Sequence, residues 1–341
     1  KFDDKQTLIK LDNKMKEGED LTKEELSFLY ELDRPIATLD TYNIEDPRIP
    51  ELKEKYSIEY AVEKGVDANK LVSSLGSKDI TKNLDLFLRN GADVDVILSN
   101  LKPNQIANDL DTLIKYGANI DINELVSSLD SHSITRKLDK LLRNGADIDL
   151  VVNRMWYSDI VDKLDYLIEH GANIDVNELV SRLNSFNISD NLDTLLKNGA
   201  DIDLVVGKIK SHDIVYKLDF LLAHGANIDV NELVSRLNSF EISDNLDTLL
   251  KNGADINNIV SNMNPRDIDY KLFTLLENGA DIDNILSNMK PDRIADNLVA
   301  LLVHGVDANL ITEKLSKKEI EDNIDILRKY GANLDTYQES N

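Results

Sequence analysis

A glycine returns every 26 or 28 residues along most of this chain, always inside one phrase. Its forms include FLRNGADVD, LIKYGANID, LLRNGADID, LIEHGANID, LLKNGADID, LLAHGANID, LLENGADID and LLVHGVDAN. The glycines are Gly65, Gly91, Gly117, Gly145, Gly171, Gly199, Gly225, Gly253, Gly279, Gly305 and Gly331. Ten repeats therefore fill 65–330, with a stub behind Gly331. A period of this size means a stack of small alike elements, and it overrides the two or three globular domains that 341 residues would otherwise suggest. In the middle of the array the steps alternate between 28 and 26, so the copied block is a pair of repeats. Residues 171–198 and 225–252 differ only at Asn187 against Glu241, the mark of recent duplication.

Each repeat reads as two short helices. In the repeat that opens at Gly199, Ile214, Leu218, Leu221 and Leu222 follow the i, i+4, i+7, i+8 spacing of one helical stripe. That helix stops at Gly225, where a left-handed C′ residue costs glycine least. Asn, His or Tyr fills the position before every such glycine from Asn90 to Tyr330. A D/N-x-D/N pair follows, as in Asp201/Asp203, and its second member is expected to cap a first helix that faces Leu204, Val205 and Ile209 inward. Ser211 and Asp213 stand where they could cap the second helix. Helices this short cannot bury a stripe alone, so the stripes imply stacking. No strand pattern occurs. The fold expected is all-α: an α-solenoid of about ten tandem two-helix repeats with an N-terminal helical cap.

The phrase LLKNGADID at 195–203, and LLAHGANID at 221–229, resembles the end of the second helix of the ankyrin repeat. SHDIVYKLDFLLAHGAN at 211–227 is similar to an ankyrin inter-helix turn plus second helix. The likeness covers about half of each repeat over 65–335. Ankyrin repeats are about 33 residues long with a T-P-L-H signature and a β-hairpin finger, both missing here. Removing a finger of about seven residues would leave 26. The resemblance therefore implies ankyrin-like helix pairs without fingers, and a protein-binding role for first helices and tips.

Three regions are expected: a helical cap at 1–50, a partial repeat at 51–64, and the tandem 26/28-residue helix-pair repeats at 65–341. Thr22 and Glu25 form a capping-box pattern ahead of Leu26, Leu29 and Tyr30. The stretch 34–56 holds three of the six prolines and reads as a loop leading into the partial repeat. A start at Lys1 without Met, and a polar TYQESN tail, suggest a segment of a larger or trimmed protein.

Composition narrows the function classes. The charge is −24, from 39 Lys+Arg against 63 Asp+Glu, which opposes binding to phosphate backbones or acidic membranes. No apolar run approaches 18 residues, so no membrane span is expected. There is no cysteine, and therefore no disulfide, zinc thiolate or thiol nucleophile. No G-x-S-x-G, P-loop, G-x-G-x-x-G or H-E-x-x-H motif occurs, so neither an enzyme nor a cofactor is expected. His170, His224 and His304 share the pre-glycine position with Asn and Tyr, which makes them part of the frame.

Three sets of residues remain as candidates. Asp85, Asp111, Asp139, Asp165, Asp193, Asp219 and Asp247 hold one position in seven consecutive repeats, until Phe273 and Val299 replace them. In register, Asp139 through Asp247 would form an acidic stripe for a basic segment of a partner, or else a solvated edge beside the core. The D/N-x-D/N loops resemble calcium loops in spacing, but they lack the Gly-x5-Glu remainder, and capping explains them without a metal. The inter-helix tips vary most, and loops on a rigid scaffold carry function. The central tips bear Trp156, Tyr157, Phe186, His212 and Phe240 as candidate binding residues.

The expected function is thus a non-enzymatic, cytoplasmic tandem-repeat scaffold for protein–protein interaction, monomeric or part of a longer chain. The competing readings are a modular nucleic-acid reader, for which basic tips such as Lys78, Arg266 and Lys318 lie mainly at the ends, and a structural spacer.

Overall fold

The computed structural model describes residues 2–37, 46–335 and 337. Residues 38–45 of the expected loop and most of the TYQESN tail lie outside the described residues. Among the described residues there are 33 helices and no strand, and the chain is an all-α solenoid. It divides into two compact bodies, 1–173 and 174–341.

The first body opens with Phe2–Glu17, a helix that the period-based reading did not include, followed by Lys23–Leu29. Thr22 and Glu25 close their capping box: Thr22 Oγ1 accepts the Glu25 N–H at 3.2 Å, and Glu25 Oε2 accepts the Thr22 N–H at 2.9 Å. The proline-rich stretch contains a third helix, Arg48–Lys55, where a loop was expected, with Pro47 just ahead of it. Pro50 falls in its first turn, where a missing N–H costs nothing. Leu8, Leu11, Leu26, Leu29, Ile49 and Leu52 join these helices in one core that runs on into the first repeats. Asp4 is buried beneath them, held by the Arg34 guanidinium and by the Ala37 N–H at 2.8 Å. Those two contacts pull its carboxyl well below the usual carboxylate range. The repeats from Gly65 to Gly145 complete this body.

In the second body the repeat from Gly199 shows the common plan. Gly199 has φ +89°. Asp201 then caps Ile202–Lys208, its Oδ1 accepting the N–H groups of Asp203 (2.9 Å) and Leu204 (3.1 Å). The cap is therefore the first member of the pair here, not the second as expected. In 28-residue repeats two more residues precede the helix, so the second member caps, as Asp229 does for Val230–Arg236. The difference between 26 and 28 thus lies entirely in the loop behind the glycine.

The second helix is also more than its stripe predicts. It is bent into Ser211–Tyr216 and Leu218–Ala223 about Lys217, at φ −107° and ψ 10°. The same bend recurs in the other full repeats except the one from Gly253, where Pro265–Glu277 is continuous. Where the bend residue is Asn191, Asn245 or Asn323, its Nδ2 donates to the carbonyl four residues back, at 3.0, 2.9 and 2.8 Å. The C-terminus closes as a Schellman motif. Gly225 N–H reaches the Leu222 carbonyl and Ala226 N–H the Leu221 carbonyl, both at 3.0 Å. Val205, Ile209, Ile214, Leu218 and Leu221 are buried between neighbouring repeats.

Candidate functional site

Two sets of hydrogen bonds tie neighbouring repeats together, and they fix where the candidate residues point. The first lies in the loops. Two residues beyond most caps, an Asn or Asp side chain accepts the backbone N–H of the residue two past the next repeat's glycine. In the first body Asn69 holds Asp93 (2.7 Å), Asn123 holds Asp147 (2.9 Å) and Asp149 holds Asn173 (3.1 Å). In the second, Asn177, Asp203, Asn231, Asn257 and Asn309 hold Asp201, Asn227, Asp255, Asp281 and Asn333 at 2.8–3.1 Å. Capping and clasping between repeats account for the D/N-x-D/N loops, and among the described residues no group of three or more His, Asp or Glu is placed to hold a metal.

The second set lies at the tips, and only within a 28/26 pair. Ser131 Oγ accepts the Trp156 N–H (2.7 Å) and donates to Asp159 (2.5 Å). Ser185 does the same with Lys210 N–H and Asp213, each at 2.9 Å. Ser239 joins Asn264 N–H (2.8 Å) to Asp267 (2.5 Å). Asp213 is therefore spent on a neighbouring tip instead of capping the second helix, whose cap position is Lys210. The clasped pair coincides with the block that the sequence copies.

On these clasped tips the aromatic candidates face water. Trp156 is 65% exposed, and Tyr157 is exposed beside it, both in the first body. In the second body Phe186 is 71% and Phe240 66% exposed, so neither tucks onto a neighbour. His212, in the equivalent position between them, is half-buried, with Nε2 3.2 Å from Asp213. Tyr216 and Tyr270 are further exposed aromatics that the tip comparison passed over. Each stands one helical turn past a tip, in a position that other repeats mostly fill with Asp, and that substitution was the available signal. Phe240 and Tyr270 line one groove of about 710 Å³ together with Arg266.

The aspartate series lies elsewhere on each repeat. Because of the bend, Asp85, Asp111, Asp139, Asp165, Asp193, Asp219 and Asp247 fall in the first turn of a new helix, where a carboxylate complements the helix dipole. Several are already engaged. Asp111 accepts from Arg143 (2.6 Å) and Asn144 (2.8 Å), and Asp219 from Lys251 (2.9 Å) and Asn252 (2.6 Å). These contacts, with the asparagine amide the larger influence, lower both carboxyls. Tyr166 donates its hydroxyl to Asp139, and burial together with that carboxylate pushes the phenol up to about 12. Asp165 also has a partner. Asp193 and Asp247 make no hydrogen bond or ion pair among the described residues. Phe273 and Val299, which replace Asp, are 55% and 57% exposed.

The pre-glycine histidines act as frame. His170 and His224 place Nδ1 2.8 Å from the Tyr166 and Phe220 carbonyls and stack on those rings at 4.0 Å. Asn198 and Asn252 send Nδ2 to the same carbonyl position at 2.8 Å, which is why Asn and His interchange there. No described helix is long and apolar enough to cross a membrane. Compared with known proteins, the chain matches no family model and no curated sequence.

Proposed function

We propose that this chain is a non-enzymatic scaffold that binds a partner protein through its aromatic tips, working as a fingerless, ankyrin-like array. The observation that carries this reading is the exposure of Trp156, whose backbone N–H Ser131 clasps, and of Phe186 and Phe240, each beside the serine (Ser185, Ser239) that clasps the following tip. Exposed aromatics on a flexible loop would lose entropy on docking. On a clasped tip they present area that is already ordered, and aromatic anchors dominate protein interfaces. Asp193 and Asp247, which have no partner among the described residues, offer carboxylates for a basic segment of the same ligand, while Asp111, Asp139 and Asp219 are largely spent on frame contacts.

The test is affinity capture followed by measurement with the purified partner. The intact chain is compared with one carrying Phe186→Ala, Tyr216→Ala, Phe240→Ala and Tyr270→Ala. Affinity should fall at least about tenfold, as anchor residues require, with the melting temperature unchanged. Unchanged affinity overturns the reading, and lost stability with unchanged affinity assigns the aromatics to the fold.

A further inference from the structure

Against a charge of −24, one stretch of the first body gathers cations. Arg136, Lys137, Lys140 and Arg143 fall within eight residues, across the bend between Ser131–Arg136 and Leu138–Arg143. The sister repeat 171–198 has Asp190, Asn191, Thr194 and Lys197 in those positions, and 225–252 has Asp244, Asn245, Thr248 and Lys251. Three cations have thus replaced neutral or acidic groups at this one place in a copied frame. They line a groove of about 490 Å³, closed on its other side by Asn104 and Asn108 of the preceding repeat.

The carboxylates nearby neutralise only part of it. Asp111 is taken by Arg143 and Asn144. Asp139 lines the same groove and receives the Tyr166 hydroxyl. Asp109 is half-buried near Lys140, and burial pushes its carboxyl up. Lys137 and Lys140 spend a proton each on neutral acceptors, the Asn104 side-chain oxygen at 2.6 Å and the Asn108 carbonyl. Arg136 and Lys137 make no ion pair among the described residues. An acidic chain with 63 carboxylates would ordinarily pair such groups.

We propose that this groove binds a small anion carrying two or more phosphoryl groups, of the polyphosphate or bisphosphate class. Seven residues of helix spread the four charges along about 10 Å, more than one phosphoryl group spans. The Arg136 guanidinium fork matches phosphoryl oxygens bidentately, the two lysines act as point charges beside it, and Arg143, paired with Asp111, adds its remaining N–H groups. The Asn104 and Asn108 amides add neutral donors. Burial and the adjacent Arg136 charge already hold Lys137 below the usual lysine range, and a bound anion relieves that crowding.

Calorimetric titration of the intact chain with inorganic tripolyphosphate, at about 50 and 150 mM salt, tests the site. Saturable one-to-one binding is expected, weaker at the higher salt as screening requires. The double variant Arg136→Gln/Lys140→Gln should lose at least about tenfold in affinity, while Lys317→Gln/Lys318→Gln, on the last tip, should bind like the unchanged chain. Circular dichroism of both variants shows whether they are folded. Absence of saturable heat, or equal affinity in the two variants, overturns the site. A hexaglutamate peptide that binds as tightly and displaces tripolyphosphate overturns the ligand class. Since no partner protein enters this titration, its outcome is independent of the tip-binding reading.

Discussion

Replacing Ser131 by alanine removes one hydroxyl and two joints. The side chain is 3% exposed, accepts the Trp156 N–H at 2.7 Å and donates to the Asp159 carboxylate at 2.5 Å. A neutral hydrogen bond contributes about 1 kcal/mol and one to a charged group about 1.5–3 kcal/mol. Asp159 is only half-buried and can turn to water, so the second contribution is discounted and the net loss is about 2 kcal/mol. The molecule supplies its own reporter, because Trp156 is the single tryptophan and its amide is the donor. The Ser131→Ala chain should show a lower urea midpoint by tryptophan fluorescence at unchanged slope. The Trp156 amide should exchange about 30-fold faster, since 1.4 kcal/mol is a factor of ten. Ser211 occupies the same position in the repeat from Gly199 and makes no hydrogen bond among the described residues. Ser211→Ala should therefore stay within about 0.5 kcal/mol of the unchanged chain. If the two serines proved interchangeable, the clasp would not be what joins paired repeats.

Other outcomes follow from the same contacts. Gly225→Ala puts a Cβ into open space at φ +86°, so its cost is conformational, about 1–2 kcal/mol. Gly207→Ala, inside Ile202–Lys208 and equally unobstructed, should stabilise by about 0.5–1 kcal/mol, and paired melting curves separate the two. For Asp4 the native carboxyl lies below its unfolded value, so its stabilisation is complete above about pH 4 and fades as pH falls towards the depressed value. The stability difference between the unchanged chain and Asp4→Asn, followed by circular dichroism in urea, should shrink between about pH 4 and 2. A difference constant down to pH 2 would contradict the Arg34 and Ala37 contacts. Millimolar calcium or EDTA should leave the melting temperature unmoved, since the loop carboxylates are committed to caps and joints.

The parts of the fold legible in the sequence were those set by local rules. The glycines, the apolar stripe of Ile214, Leu218 and Leu221, and the capping box at Thr22 each depend on residues a few places apart. What local rules could not show were joints spanning 24 to 28 residues, such as Asn177 to Asp201 and Ser185 to Asp213. The pair suggests Asp203 as the cap, but Asp201 performs it, because a two-residue shift in loop length decides which Asp reaches the free N–H groups. The bend at Lys217 preserves the stripe, so periodicity passes through it unseen. It nevertheless turns the aspartates from helix-interior oddities into first-turn residues. The aromatic tips were visible as departures from a copied frame. The basic stretch at 136–143 departs from it just as plainly, but the overall acidity masked it.

The tip clasp has a consequence for how such a chain can change in length. Serine of one repeat type meets aspartate of the other, and the 28/26 alternation makes every such joint belong to one copied pair. A whole pair can be added or lost in the middle of the array, and each remaining serine still meets its aspartate. A single repeat inserted within a pair would separate one serine from its mate. In the paired middle of the array the natural increment is therefore two repeats, and its reach can be inherited in doubled steps while each joint stays matched.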